Sequence, residues 1–477
     1  QLTGSLKPAG DAGGAVGTFA ISFDAEHLQL HVEADKSAAG WTLKHFRPTT
    51  FVCHPELFEI IKKSRPALAD ALGNLTLARP ARAELKIAHL VIPTSEPFDL
   101  WAAELGYQLR LTDIVPIGDD RFEGIVLNDL TIEMPNSRIG TAMRMPLTAT
   151  ATVHGHDCTL DAAVIVEDLI NRNPVSEDGT VRLFQHRPLC KINAALSGLP
   201  INLIERSEGP LKIVAGERFD RITFNAANDL DDRSTITFAL EAKTVRLDVA
   251  VEGNFVPGQS LSFGQESRAR LVLPPEAQTV LLGGSHDDED QSPPPLEAIE
   301  PLELNLRLQK AQFAFNEADG GLDRSKSSLS LEVDALQAAF RTPNKPHGVE
   351  LRALHLELAG DDLGGPVTIK AASEHTIIDH KTNQRFSGRL FADVRLADLF
   401  NPAKVSWLKT RMEPVPVAMI DALSRQEGLL VLLLGPTLSS LDLQITPDPA
   451  GKDLTTLAMA IDSPGLTADL SCRYVAG

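Results

Sequence analysis

One strand-pair figure returns along this chain roughly every 220 residues, and a chain that repeats a unit of that size has to fold by repeating it. The first occurrence is Phe19-x-Ile21-x-Phe23, four residues, then Leu28-x-Leu30-x-Val32. The second is Ile236-x-Phe238-x-Leu240, four residues, then Val245-x-Leu247-x-Val249. The third is Leu457-x-Met459-x-Ile461, four residues, then Leu466-x-Ala468-x-Leu470. Apolar residues at every second position put one side of each strand on an apolar face and the other in water. The five-residue step from Phe23 to Leu28 breaks that parity, so a turn belongs there, and Pro464-Gly465 fills the same slot in the last copy.

Other landmarks keep the step and the order. Pro55-Glu56 and Pro275-Glu276 each open a short apolar segment. Gly124-Ile125-Val126-Leu127 answers Gly348-Val349-Glu350-Leu351, and Asp168-Leu169-Ile170-Asn171 answers Asp398-Leu399-Phe400-Asn401. Leu199-Pro200-Ile201 answers Val415-Pro416-Val417, and the glycine pair 209/216 answers 428/435. Further strands read as Leu302-x-Leu304-x-Leu306-x-Leu308 and Leu329-x-Leu331-x-Val333. Helical spacing is confined to residues 66–73 and 416–426, which suit plugs at sheet ends, and Pro200 and Pro416 suit a first helical turn.

The expected fold class is therefore all-β with a few short helices. Two tandem repeats would form antiparallel, strongly curved sheets, as an elongated groove or as a sandwich. Residues 1–54 read as the C-terminal strands of a preceding repeat, 55–282 as the first unit and 296–477 as the second. Between them, 283–295 is an acidic Gly/Pro-rich loop whose spacing lacks the order of a calcium-binding EF-hand. The chain starts and stops at the same phase of the repeat, which suggests a segment of a longer array.

Composition excludes some functions. The formal charge of −19 repels nucleic acid and anionic membrane surfaces. Aromatics make up only 5%, so the apolar faces are smooth aliphatic surfaces of Leu, Val, Ile and Ala. The longest uninterrupted aliphatic stretch, Leu429 to Leu434, is far short of the ~18–20 residues a membrane-spanning helix needs.

Catalytic patterns are missing. The sequence holds no Gly-x-Ser-x-Gly elbow, phosphate loop, His-Glu-x-x-His or Cys-x-x-Cys, so no enzyme, cofactor or metal is expected. The nearest to a metal pattern is His154-Gly155-His156, whose two histidines would share one face of a strand, with no counterpart near His375 and His380. Cys53 corresponds to Leu273 across the repeat and reads as a small core residue, while Cys158 and Cys190 could pair in an oxidising compartment. Asn74-Leu75-Thr76 is a formal glycosylation acceptor.

The repeated strand figures 19–32, 236–249 and 457–470, with the Leu-Pro and Val-Pro steps and the paired glycines, resemble the AsmA-like family of Gram-negative envelope proteins. The TamB-type proteins belong to it, and it resembles the eukaryotic bridge-like lipid-transfer proteins. The resemblance spans essentially the whole chain, with no single diagnostic motif and without the family's N-terminal membrane anchor. It implies a bent antiparallel sheet open along one side, in the periplasm of a bacterial envelope, along whose apolar face phospholipid or other acyl-chain lipid slides. The lining would be Phe19, Ile21, Phe23, Leu28, Leu30 and Val32; Ile236, Phe238, Leu240, Val245, Leu247 and Val249; and Leu457, Met459, Ile461, Leu466 and Leu470. Periodicity equally allows these faces to close on each other in a structural module of a large envelope or surface assembly with protein partners.

Overall fold

The computed structural model describes residues 2–8, 17–25, 28–37, 39–64, 73–93, 100–118, 122–170, 188–201, 210–228, 231–281, 296–316, 320–341, 347–397, 399, 405–423, 428–435, 437–447, 454–463 and 466–475. Among them strands dominate and every helix is short, so the chain is all-β. It divides into two compact units, Gln1–Glu208 with Glu217–Ala242, and Gly209–Gly216 with Lys243–Gly477.

Unit 1 opens with strands β1 (Leu2–Pro8), β2 (Gly17–Ala25), β3 (Leu28–Ser37) and β4 (Gly40–Cys53), followed by helix α1 (Pro55–Ser64). Next come β5 (Thr76–Leu77), β6 (Ala81–Pro93), β7 (Glu104–Ile114) and β8 (Pro116–Ile117). The unit continues with β9 (Ile125–Arg138), β10 (Met143–Val153), β11 (His156–Glu167), β12 (Leu189–Ser197), β13 (Arg221–Asn228) and β14 (Ile236–Lys243). From β1 to β13 each long strand pairs antiparallel with the next, while β5 and β8 pair only with each other. Such a meander needs only local connections, which is why turn chemistry recurs so regularly in the sequence.

Unit 2 contains helix α2 (Pro210–Ala215), then β15 (Leu247–Val256), β16 (Ser260–Phe263), β17 (Arg268–Leu273) and α3 (Pro275–Leu281). The middle holds β18 (Glu297–Ala298), β19 (Leu302–Phe315), β20 (Leu322–Arg341), β21 (His347–Gly360), β22 (Val367–Asp379) and β23 (Gln384–Leu396). Last come β24 (Val405–Glu413), α4 (Val417–Leu423), α5 (Leu429–Leu434), β25 (Ser440–Pro447), β26 (Leu454–Ser463) and β27 (Leu466–Val475). β19 to β27 form a second antiparallel meander, with β15, β16 and β17 paired ahead of it.

The sequence landmarks take the same local form wherever they recur. Ile21 pairs with Val32 and Phe23 with Leu30; Met459 pairs with Leu470 and Ile461 with Ala468, so the first and third hairpins share one register. Pro55 and Pro275 each start a helix. Leu199-Pro200 and Val415 each close an antiparallel bridge across the residues that follow, to Arg218 and to Leu438. Gly216 and Gly435 end α2 and α5 at φ 97° and 80°, each donating its N–H to the carbonyl four residues back. Only glycine takes that left-handed backbone without steric cost, which explains their matched spacing. The boundary between compact units, near Ala242, lies within the second copy of the hairpin figure, so compact unit and sequence repeat are out of phase.

Several expectations are corrected. Val245 is not a strand residue: Thr244 Oγ1 accepts the N–H groups of Arg246 and Leu247 and donates to Ala215 O, which bends the chain and leaves Val245 78% exposed. His154 and His156 do not share a strand face. His154 and Gly155, at φ 48° and 82°, make the two-residue turn of the β10–β11 hairpin, closed by Val153 opposite His156. Cys158 and Cys190 lie at opposite ends of the β11–β12 pair, eight residues or about 26 Å apart along the strands, and all four cysteines are free. The helix at 416–426 is realised as α4 over Val417–Leu423. The segments 66–72 and 283–295 and the turn at Pro464-Gly465 lie outside the described residues.

Candidate functional site: the apolar sheet faces

Residues opposite one another in an antiparallel pair project from the same face, so the registers alone sort each sheet into rows. In unit 1 one row runs Leu28, Phe51, Ala83, Leu111, Leu130, Ala149, Leu160, Leu196, Ile222, crossing nine strands without a polar residue. Beside it run Leu85, Leu109, Ile132, Leu147, Ala162, Ala194 and Phe224. Unit 2 repeats the arrangement with Leu308, Leu331, Leu358, Ile369, Val394, Leu408, Ile445, Leu457 and Cys472. Its neighbouring row runs from Val249 through Ala269, Leu306, Val333, Leu356, Ala371, Ala392, Thr410, Leu443 and Met459 to Leu470, broken only by the threonine.

The opposite face is polar and charged. One unit 1 row reads Glu84, Arg110, Thr131, Thr148, Asp161, Ala195, Thr223. One unit 2 row reads Arg307, Glu332, Glu357, Lys370, Asp393, Lys409, Gln444. Cross-strand ion pairs bind this face, among them the fork of Arg270 on Glu303 at 2.8 and 2.9 Å. That contact holds the Glu303 carboxyl below the ordinary carboxylate range.

No member of the four apolar rows is buried: all are half-buried, except Leu470 and Cys472, which are exposed. The inner face of a sandwich would be dry, because a second sheet about 10 Å away covers it. These rows fall short of that burial along their whole length.

Complete burial occurs elsewhere. In unit 2, Val415, Val417, Leu438 and Ile461 form a dry cluster, on which Met412, Ile420, Leu430, Val431, Leu434, Leu441 and Met459 pack. Met412, Leu441 and Ile461 pair in turn across β24, β25 and β26, so α4 and α5 lie on the apolar face along one margin of the sheet. Asp421, fully buried on α4, accepts the N–H groups of Gly428 at 2.6 Å and Leu430 at 2.7 Å, tying the two helices together.

The anticipated lining residues are placed as follows. Phe19, Ile21, Phe23, Leu28, Leu30 and Val32 lie half-buried on β2 and β3, and Ile236, Phe238 and Leu240 half-buried on β14. Leu247, Val249, Leu457 and Met459 lie half-buried in unit 2, Ile461 enters the dry cluster, and Leu470 is 56% exposed on β27. Leu466 begins β27, and its side chain is outside the described set. Val245 does not join the face. Leu130 and Leu358 read from the sequence as matched landmarks of the repeat, but they and Leu111 were not expected as lining, although the alternation of their strands carries the signal.

Among the described residues no cluster of His, Cys, Asp and Glu is arranged to hold a metal ion, and no helix is long and apolar enough to cross a membrane. No family model, no curated protein and no solved structure matches the chain.

Proposed function

We propose that the apolar faces bind the acyl chains of lipids and let them slide across the strands, with headgroups left in water. The chain is then a non-enzymatic lipid-binding, lipid-conducting segment of a larger bacterial envelope protein, working in the periplasm. The observation that supports this reading is the set of unbroken apolar rows, nine strands wide in each unit, whose members are at most half-buried. Covering apolar surface is worth roughly 25 cal/mol per Å² whether the cover is protein or acyl chain. A face of Leu, Ile, Val and Ala without polar anchors gains that energy at every position, so it holds a chain without fixing its place. The resemblance to the AsmA-like family supports the same reading and supplies the location.

Native mass spectrometry of the purified chain, followed by solvent extraction, tests it. Several phospholipids per chain are expected. A folded sample at the bare apoprotein mass would sink the proposal. Leu358→Glu and Leu130→Glu, each at the middle of a row, should keep the strand content and lose the bound lipid.

A further inference from the structure

Helix α5 presents an apolar surface that the sheet faces do not explain. Its six residues, Leu-Leu-Val-Leu-Leu-Leu, carry no polar side chain. Leu430, Val431 and Leu434 pack inward on the dry cluster, while Leu429, Leu432 and Leu433 are 50%, 82% and 66% exposed. Isolated exposed leucines need no explanation, but three on one rigid turn do.

We infer that the outer face of α5 inserts into a lipid bilayer and seats the margin of the sheet against the membrane. This inference deepens the lipid reading above and rests on it for its biological sense. Three features select a bilayer. First, part of the helix start is satisfied within the protein. A helix start normally offers its free N–H groups to water, yet here the buried Asp421 carboxylate takes those of Gly428 and Leu430, and Leu432 N donates to Gly428 O. Backbone polar groups satisfied within the protein are the condition for contact with lipid tails. Second, the patch is small. Three leucines at these exposures present on the order of 350 Å², well under the roughly 800 Å² per partner of a stable protein interface. Insertion into a fluid bilayer requires no matching surface. Third, the exposed face is purely aliphatic, without the Trp, Tyr or Arg that anchor protein interfaces.

The position also suits the proposed traffic. The inner side of α5 packs on the same dry cluster as Met412, Leu441 and Met459 of the apolar face, which places the helix beside that face. The absence of basic residues from the helix predicts binding that does not depend on lipid charge, in a chain whose net charge of −19 disfavours anionic surfaces.

The test is flotation of the full chain with neutral phosphatidylcholine vesicles. Wild type should float with the vesicles, and the Leu432→Ser/Leu433→Ser double variant should lose at least tenfold in the vesicle-bound fraction. Both side chains are exposed, so the variant should melt as wild type does. As a second measurement, the fluorescence of Leu432→Trp should shift to the blue when vesicles are added. Equal flotation of wild type and double variant, or no spectral shift, would overturn the inference. So would sedimentation showing a wild-type dimer that the double variant dissolves, because the occupant would then be a second copy. The lipid reading fails separately, through a wild-type chain that carries no lipid. A double variant that keeps its lipid cargo and loses flotation would support both.

Discussion

Leu438, bridged to Val415 just ahead of β25, and Leu358 on β21 are both leucines of unit 2, yet their surroundings differ. Leu438 is 3% exposed beneath α4 and α5, whereas Leu358 belongs to a nine-strand row in which no residue is buried. The difference lies in what covers them. A short helical pair, held by one carboxylate and one backbone bridge, dries the margin of the apolar face, while the row residues in the middle stay half-buried. Dry clusters at the helices and hydrogen-bonded strands thus hold the fold, while the rows themselves stay half-buried.

The sharpest way to break that comparison is to truncate the dry side. Leu438→Ala should destabilise unit 2 by about 3 kcal/mol, because the helices can collapse only partly into the space left. A loss below about 1 kcal/mol in a denaturant titration would mean the cluster is not the anchor described. Asp421→Ala comes next. It leaves the N–H groups of Gly428 and Leu430 without their acceptor, and the expected cost is about 2 kcal/mol. Hydrogen exchange should localise that loss to α5, and uniform protection in the variant would contradict the role given to Asp421.

Much of this was legible in the sequence, for a physical reason. A strand has a period of two, so Leu302, Leu304, Leu306 and Leu308 declare a shared face before any coordinates are known, and the paired glycines declare where helices end. Cover was not legible, because alternation says which side is apolar and is silent on what lies over it. Turn chemistry was legible only in part. Val245 fits the alternation, but the hydroxyl of Thr244 captures two backbone N–H groups and bends the chain before the strand starts. His154 reads as a strand residue because the alternation of its flanking strands runs up to it, and the glycine after it was the warning that it takes a positive φ. Asp421 gave no signal at all, since its partners are backbone groups seven and nine residues on.

On the open side the expected effect is smaller and of a different kind. Leu358→Ala removes a side chain that is already partly wet and leaves no closed cavity, so it should cost less than about 1 kcal/mol. If the lipid reading holds, that cost should grow when lipid is present, because the bound cover stabilises only the folded chain. Melting the variant and wild type with and without extracted lipid measures this. A loss as large as that of Leu438→Ala, unchanged by delipidation, would mean that the row is dry in solution.

The polar face gives the smallest effect and the only one with a pH signature. His355 on β21 stands between Asp334, 2.7 Å from Nδ1, and Glu357, 3.2 Å from Nε2, with Lys370 on the far oxygen of Glu357 at 3.3 Å. The hydrogen bond to Asp334, and then that to Glu357, raises the His355 pKa above its ordinary value. Hydrogen bonds from His355 and Lys370 lower that of Glu357. The histidine's contribution is therefore fully present below its unfolded pKa of about 6.5 and is lost as pH rises through the raised folded value. The Glu357 contribution runs the other way, present above about pH 4.3 and lost as pH falls through its depressed folded value. The cluster should stabilise most between those limits. Because the ring is 39% exposed, solvent screening holds its worth to a few tenths of a kcal/mol. His355→Ala should accordingly melt slightly below wild type near pH 5.5, and the gap should close by about pH 8.5. A gap that widens towards high pH would show that the ring packs on β20 and β22 as a neutral group, and the polar face would then owe less to its charges than its cross-strand pairs imply.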